Sequence, residues 1–173
     1  MVVRQTAFDL LEECPVTCSE RVGAAIESLA DSGGKEERGA IFTRQTVVGF
    51  ILDLAGYTAD RPLHMMRLLE PSFGGGDFLL PIIGRLLAAW RAAGALGSAL
   101  EALGNAIFAV ELHRNTYRTT RAAVVSFLQG EGVATDAAQG LAARWMYQGD
   151  FLMAPIKGRF DFVVGNPPYV RQE

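Results

Sequence analysis

The hydrophobic positions of this chain alternate between two rhythms. After Thr43, the residues Val47, Val48, Ile51, Leu52 and Ala55 recur at helical intervals, and Gly56 supplies a stop. The pattern then shortens to a near-continuous apolar run, Met65 to Leu69, read as a strand. A helix from Gly76 to about Trp90 follows, with Phe78, Ile82, Leu86 and Trp90 along one stripe; Pro81 lies close enough to its start to bend it little. A second strand spans Ala106 to Leu112, and the next helix carries Tyr117, Arg121, Val124 and Leu128 on one face and ends near Gly130. A short helix after Thr135 leads to a third strand, Arg144 to Tyr147, and Phe160 to Val164 forms a fourth. Uninterrupted apolar strands separated by helices predict an α/β fold with a mostly parallel sheet and helices on both faces.

The N-terminal stretch has a simpler pattern. Thr17-Cys18-Ser19-Glu20 has capping-box spacing, Val22, Ala25, Ile26 and Leu29 follow at helical intervals, and Asp31 to Gly34 ends the run. Residues 1–37 are therefore expected to be a helical cap with no chemistry of its own, and residues 38–173 the functional domain. No internal repeat or low-complexity tract is visible, although Ala88 to Ala102 is rich in Ala and Gly.

Composition narrows the class. A chain of 173 residues, half of them hydrophobic, is one domain able to bury roughly 70% of its unfolded surface. The net charge of −3 argues against a free-standing nucleic-acid binder, which normally carries a basic excess. Basic residues gather at His113, Arg114, Arg118 and Arg121, and at Lys157, Arg159 and Arg171; both groups are read as solvated faces. The two cysteines, Cys14 and Cys18, lack the further ligands of a tetrahedral zinc site, so no metal is expected. Asp9, Glu12 and Glu13 interrupt any signal-peptide core, and no apolar stretch reaches the length of a membrane span. A cytoplasmic protein with no membrane partner is expected.

Polar residues stand where the strands end. At the first strand-to-helix turn the chain reads Glu70-Pro71-Ser72-Phe73-Gly74-Gly75-Gly76-Asp77-Phe78. Glycines there let backbone approach a ligand closely. No Gly-Lys-Ser/Thr follows, so this is not a phosphate loop, and Glu70 repels anions while welcoming an ammonium or sulfonium group. Glu111 closes the second strand, where an acidic side chain can accept from ribose hydroxyls. Asp150-Phe151 follows the third strand; the carboxylate can accept from an exocyclic amine and the ring can stack on adenine. The fourth strand runs into Asn166-Pro167-Pro168-Tyr169. Two carbonyl oxygens, one from the Asn166 side chain and one from the adjoining backbone, suit one planar NH₂ group, the prolines remove competing donors, and Tyr169 offers a stacking face.

Taken in this order, the motifs resemble those of the S-adenosylmethionine-dependent DNA adenine-N6 methyltransferases, in the TaqI-like arrangement. Glu70 to Phe78 matches the Glu/Asp-Pro-x-x-Gly-x-Gly-x-Phe motif of that family, Glu111 its acidic strand end, Asp150-Phe151 its Asp-Phe, and residues 166–169 its Asn-Pro-Pro-Tyr. Gly39 to Val48 matches the segment that precedes the first motif, with Arg44 where the family has proline and bulky Phe73 at a site that is usually small. The resemblance covers roughly residues 38 to 171. It implies a Rossmann-like class I methyltransferase fold that binds S-adenosylmethionine. Phe42 and Thr43 would lie at the methionine carboxylate, Glu70 and the backbone of Phe73, Gly74 and Gly76 around the amino-acid part, Glu111 at the ribose and Leu112 against the adenine. Asp150 and Phe151 would hold the adenine amine and ring. Asn166 and the Pro167 carbonyl would accept from the target amine, Pro168 would stiffen the loop, and Tyr169 would stack on the flipped base.

The family's sheet continues beyond a fourth strand and is joined by a DNA-recognition region. The chain is thus expected to be an incomplete catalytic domain, contacting DNA through regions it lacks and pairing its fourth strand with a complementing subunit or a second copy. Two alternatives stay open: a release-factor glutamine methyltransferase, which shares Asn-Pro-Pro-Tyr, and a non-catalytic module binding the cofactor or a partner.

Overall fold

A computed structural model describes residues 45–166. The expected 1–37 cap, both cysteines, Phe42, Thr43 and the Pro167-Pro168-Tyr169 segment lie outside the described residues. Helix α1, Gln45–Leu54, buries Val48 and Leu52 completely, while Val47 lies off that stripe and is exposed. Gly56 ends the segment with φ +74°, a value glycine reaches without a Cβ clash. A 3₁₀ turn, Leu63–Met65, precedes strand β1, Leu68–Glu70. The apolar run predicted as a strand from Met65 therefore begins as a turn, with Met65 in solvent.

Helix α2, Leu79–Ala92, starts three residues later than predicted and buries Leu79, Ile82, Ile83, Leu86 and Leu87 completely. Pro81 is its third residue, where the missing N–H has no intrahelical acceptor to lose. The Ala- and Gly-rich stretch contains a short helix α3, Ala99–Leu103, before strand β2, Ile107–Glu111. Helix α4 spans Arg114–Gly130 and α5 spans Thr135–Trp145. The buried stripe of α4 is Thr120, Val124 and Leu128; Thr120 occupies the place predicted for Arg121, which is only half-buried.

Helix α5 passes without a loop into strand β3, Met146–Gln148, so Arg144 and Trp145, predicted as strand, belong to the helix. Trp145 is fully buried and its Nε1–H donates to the Leu103 carbonyl at 2.9 Å, joining α5 to α3. A 3₁₀ turn, Phe151–Met153, and a loop lead to strand β4, Phe162–Val163, shorter than predicted.

The sheet order is β3-β2-β1-β4 and every pairing is parallel. Leu68 stands opposite Ile107 on one side and Phe162 on the other, and Ala109 stands opposite Met146. Those residues join the helices in one core. This is a Rossmann-like α/β fold. The chain winds outward from β1 to β3, then returns to the far side of β1, so the order reverses between β1 and β4. No helix among the described residues is long and apolar enough to cross a membrane.

Candidate functional site

A parallel sheet delivers every strand's carboxyl end to the same edge. Glu70 is the last residue of β1 and Glu111 the last of β2; Gly149-Asp150 follows β3 and Gly165-Asn166 lies just beyond β4. The turn after β1 is fixed by a hydrogen bond from the Phe73 N–H to Val110 O at 3.0 Å and one from the Gly76 N–H to Phe73 O at 2.8 Å. Gly74 and Gly76 have φ of +50° and +90°, where an L side chain is strained. A Cβ at Gly76 would also stand 3.0 Å from Thr120 Cγ2.

The two edge glutamates differ in kind. Glu111 is buried and compensated: Oε2 accepts the Gly74 N–H at 3.0 Å and Oε1 accepts the His113 N–H at 2.7 Å. A carboxylate offers roughly four acceptor positions, so each oxygen keeps capacity for a ligand hydroxyl. Glu70 is likewise buried, but its Oε2 has no hydrogen-bond partner among the described residues. Burial, with the negative charges of Asp77 and Glu111 beside it, pushes its carboxyl well above the usual range. A group in this state is complementary to a ligand cation, which would complete its hydrogen bonding and offset the cost of charging it.

The neighbouring loops close around these carboxylates. The Gly149 N–H donates to Glu111 O at 3.0 Å, and Gln148 Nε2 donates to Leu112 O at 3.0 Å. Asp150 caps the 3₁₀ turn, its Oδ1 accepting the Leu152 N–H at 2.8 Å, and Phe151 behind it is half-buried. On the other side, a Cβ at Gly165 would lie 3.3 Å from Pro71 Cδ and 3.9 Å from Glu70 Cγ. The approach to Asn166 therefore runs directly against Glu70-Pro71. Phe73 is a core residue, buried beneath the turn with its ring 6.2 Å from that of Tyr117, so only its backbone is available to a ligand.

Comparison with known proteins adds a direction. The chain is similar to type II methyltransferases. It is 66% identical over 160 residues to the type II methyltransferase M.PaeR7I of Pseudomonas aeruginosa, covering 92% of this chain and 27% of that protein. Identity is 57% over 139 residues to M.XhoI of Xanthomonas vasicola, and 41% over 140 residues to M.BstVI of Geobacillus stearothermophilus, covering 80% and 78% of this chain and 26% and 25% of those proteins. The chain thus spans about a quarter of the length of these curated relatives. No family model and no solved structure matches it.

Set beside type II methyltransferases, the described residues bring Glu70 and the Gly74–Gly76 turn to the same sheet edge as Glu111, with Gly74 bonded directly to Glu111, Asn166 on the β4 side and Leu112, Asp150 and Phe151 on the β3 side. A hollow of about 410 Å³ lined by Tyr117, Arg118, Arg121 and Ala143 opens elsewhere, on the flank of α4 and α5, and contains none of the sequence-predicted site residues. Sequence reasoning missed Thr120, whose Oγ1–H donates to Gly74 O at 2.7 Å. Its one signal is a polar residue in phase with Val124 and Leu128 on a buried helix stripe.

Proposed function

We propose that the chain is the cofactor-binding part of a restriction-modification methyltransferase that methylates the N6 amino group of adenine in DNA, with S-adenosylmethionine as donor. The observation that carries this reading is the buried carboxyl of Glu70, whose Oε2 has no hydrogen-bond partner among the described residues, beside a glycine turn that is itself bonded to Glu111. The donor set fits the cofactor: Glu70 for the ammonium of its amino-acid part, Glu111 for the ribose hydroxyls, Leu112, Asp150 and Phe151 for the adenine, and Phe42 and Thr43 for the carboxylate. When bound, S-adenosylmethionine supplies an electrophilic methyl group on a sulfonium centre.

The protein's own part is to hold the nucleophile. An aromatic amine is weakly nucleophilic because its lone pair is delocalised into the ring. The Asn166 side-chain oxygen and the Pro167 carbonyl accept its two hydrogens and favour the pyramidal nitrogen of the transition state. Pro168 keeps this loop stiff, and Tyr169 stacks on a base that has left the duplex, returning about 1–3 kcal/mol of the unstacking cost. Similarity to type II methyltransferases supports DNA, rather than a release factor, as the substrate.

Calorimetric titration with S-adenosylmethionine tests the reading. Glu111→Ala should weaken binding by roughly 1.5–3 kcal/mol through loss of a charged acceptor. In a protein that joins this chain to the rest of a methyltransferase, Asn166→Ala should abolish methyl transfer and leave cofactor affinity nearly unchanged. Unaltered affinity in the Glu111 variant would remove the ribose assignment, and equal losses of affinity and turnover in the Asn166 variant would place Asn166 in the cofactor pocket.

A further inference from the structure

Gly74 is gripped on both sides of its α-carbon. Its N–H donates to Glu111 Oε2 at 3.0 Å and its carbonyl accepts from Thr120 Oγ1 at 2.7 Å. The two anchors come from different elements, the end of β2 and the second turn of α4. Threonine inside a helix ordinarily bonds back to the preceding turn of its own backbone. Thr120 instead sends its hydroxyl out of α4 to the turn after β1, from a position only 2% exposed. Its methyl group meanwhile stands where a side chain at position 76 would have to go. One side chain thus restrains Gly74 by a hydrogen bond and keeps position 76 to glycine. Between them Gly75 is exposed, and its N–H has no hydrogen-bond partner among the described residues.

Three consecutive glycines lose more conformational freedom on ordering than any other tripeptide. A turn built from them binds a ligand well only if something other than the ligand has already ordered it. We infer that Thr120 is a positioning residue of the candidate cofactor site, its hydroxyl holding the Gly74–Gly76 turn in the form that presents Gly75 to the ligand. This role rests on the assignment of the site to S-adenosylmethionine, whose amino-acid part lies at the turn while its nucleoside lies toward Glu111 and Asp150. Loss of the hydroxyl leaves the Gly74 carbonyl without its partner and frees the turn, but leaves β2 and the loop after β3 in place.

The test compares two ligands on three proteins. Calorimetry with S-adenosylmethionine and with 5′-methylthioadenosine, which keeps the adenine and ribose and lacks the amino-acid part, is run on the wild type, Thr120→Val and Thr120→Ser. The valine variant should bind S-adenosylmethionine about tenfold more weakly and the nucleoside with wild-type affinity; the serine variant, which keeps the hydroxyl, should match the wild type for both. If the valine does not fold, Thr120→Ala carries the same comparison. Equal losses for both ligands, unchanged affinity in the valine variant, or a loss in the serine variant would each overturn the positioning role while leaving the cofactor site standing. A wild-type protein that binds the nucleoside and not S-adenosylmethionine, or neither, would overturn the site assignment, and the role with it.

Discussion

Glu70 and Glu111 are both acidic, both buried and both at the end of a strand, yet they hold opposite electrostatic positions. Glu111 receives two backbone N–H groups, whereas Glu70 Oε2 receives none among the described residues and its carboxyl is pushed up by burial, Asp77 and Glu111. A carboxyl whose folded pKa is raised keeps its proton in the folded chain after the unfolded chain has lost it. Its stabilising contribution is complete below the ordinary value of 4.5 and is lost as pH rises through the higher folded value. Glu70→Gln removes that loss. Urea midpoints should therefore favour the glutamine variant near pH 7 to 8 and converge with the wild type toward pH 4, while affinity for S-adenosylmethionine falls because the ammonium loses its counter-charge. A wild-type midpoint that rises with pH through this window would show that Glu70 is compensated. Both glutamates were legible in the sequence because an acidic residue after an apolar run is conspicuous. Thr120 was not, since a threonine in an amphipathic helix reads as surface until the helix has a neighbour.

At the scale of elements, α1 is fastened to α2 by one side chain. Arg85 donates to Asp53 Oδ1 at 2.6 Å, to Tyr57 O at 2.8 Å and to Gly49 O at 3.0 Å, collecting the helix, its end and the loop after it. The two carbonyl bonds are partly buried, whereas the Asp53 carboxylate is 61% exposed. The carbonyls should therefore dominate. Arg85→Leu is expected to cost about 2–3 kcal/mol by chemical denaturation, and Asp53→Ala less than about 1 kcal/mol; a larger effect from Asp53 would make the ion pair the principal fastening. Element types and order were legible from periodicity, but ends were not. Met65 to Leu69 and Arg144 to Tyr147 are apolar runs in which a turn or a last helical turn abuts the strand, and burial alone does not separate those conformations. The short helix Ala99–Leu103 was hidden in an Ala- and Gly-rich stretch with little amphipathic contrast.

For the molecule as a whole, the parallel order β3-β2-β1-β4 turns four separate sequence motifs into one edge, which no single motif could establish. The same order sets β4 at the side of the described sheet, where β1 is its only partner among the described residues. Phe162 points into the core and stacks edge-on against Tyr57 at 5.1 Å, but Val163, on the opposite face, is 58% exposed. An exposed apolar strand with unpaired backbone on one side is a template for another strand. The 173-residue chain on its own is therefore expected to self-associate through β4. Val163→Lys should reduce that association with little loss of fold, because the side chain is already mostly in water and a lysine on an edge strand opposes pairing. Light scattering of the two proteins over a concentration series, with circular dichroism as the check on folding, decides it. An apparent mass that rises with concentration in the wild type and stays near one chain in the variant supports edge pairing. A wild type that remains a single chain throughout would mean that the β4 edge is already covered.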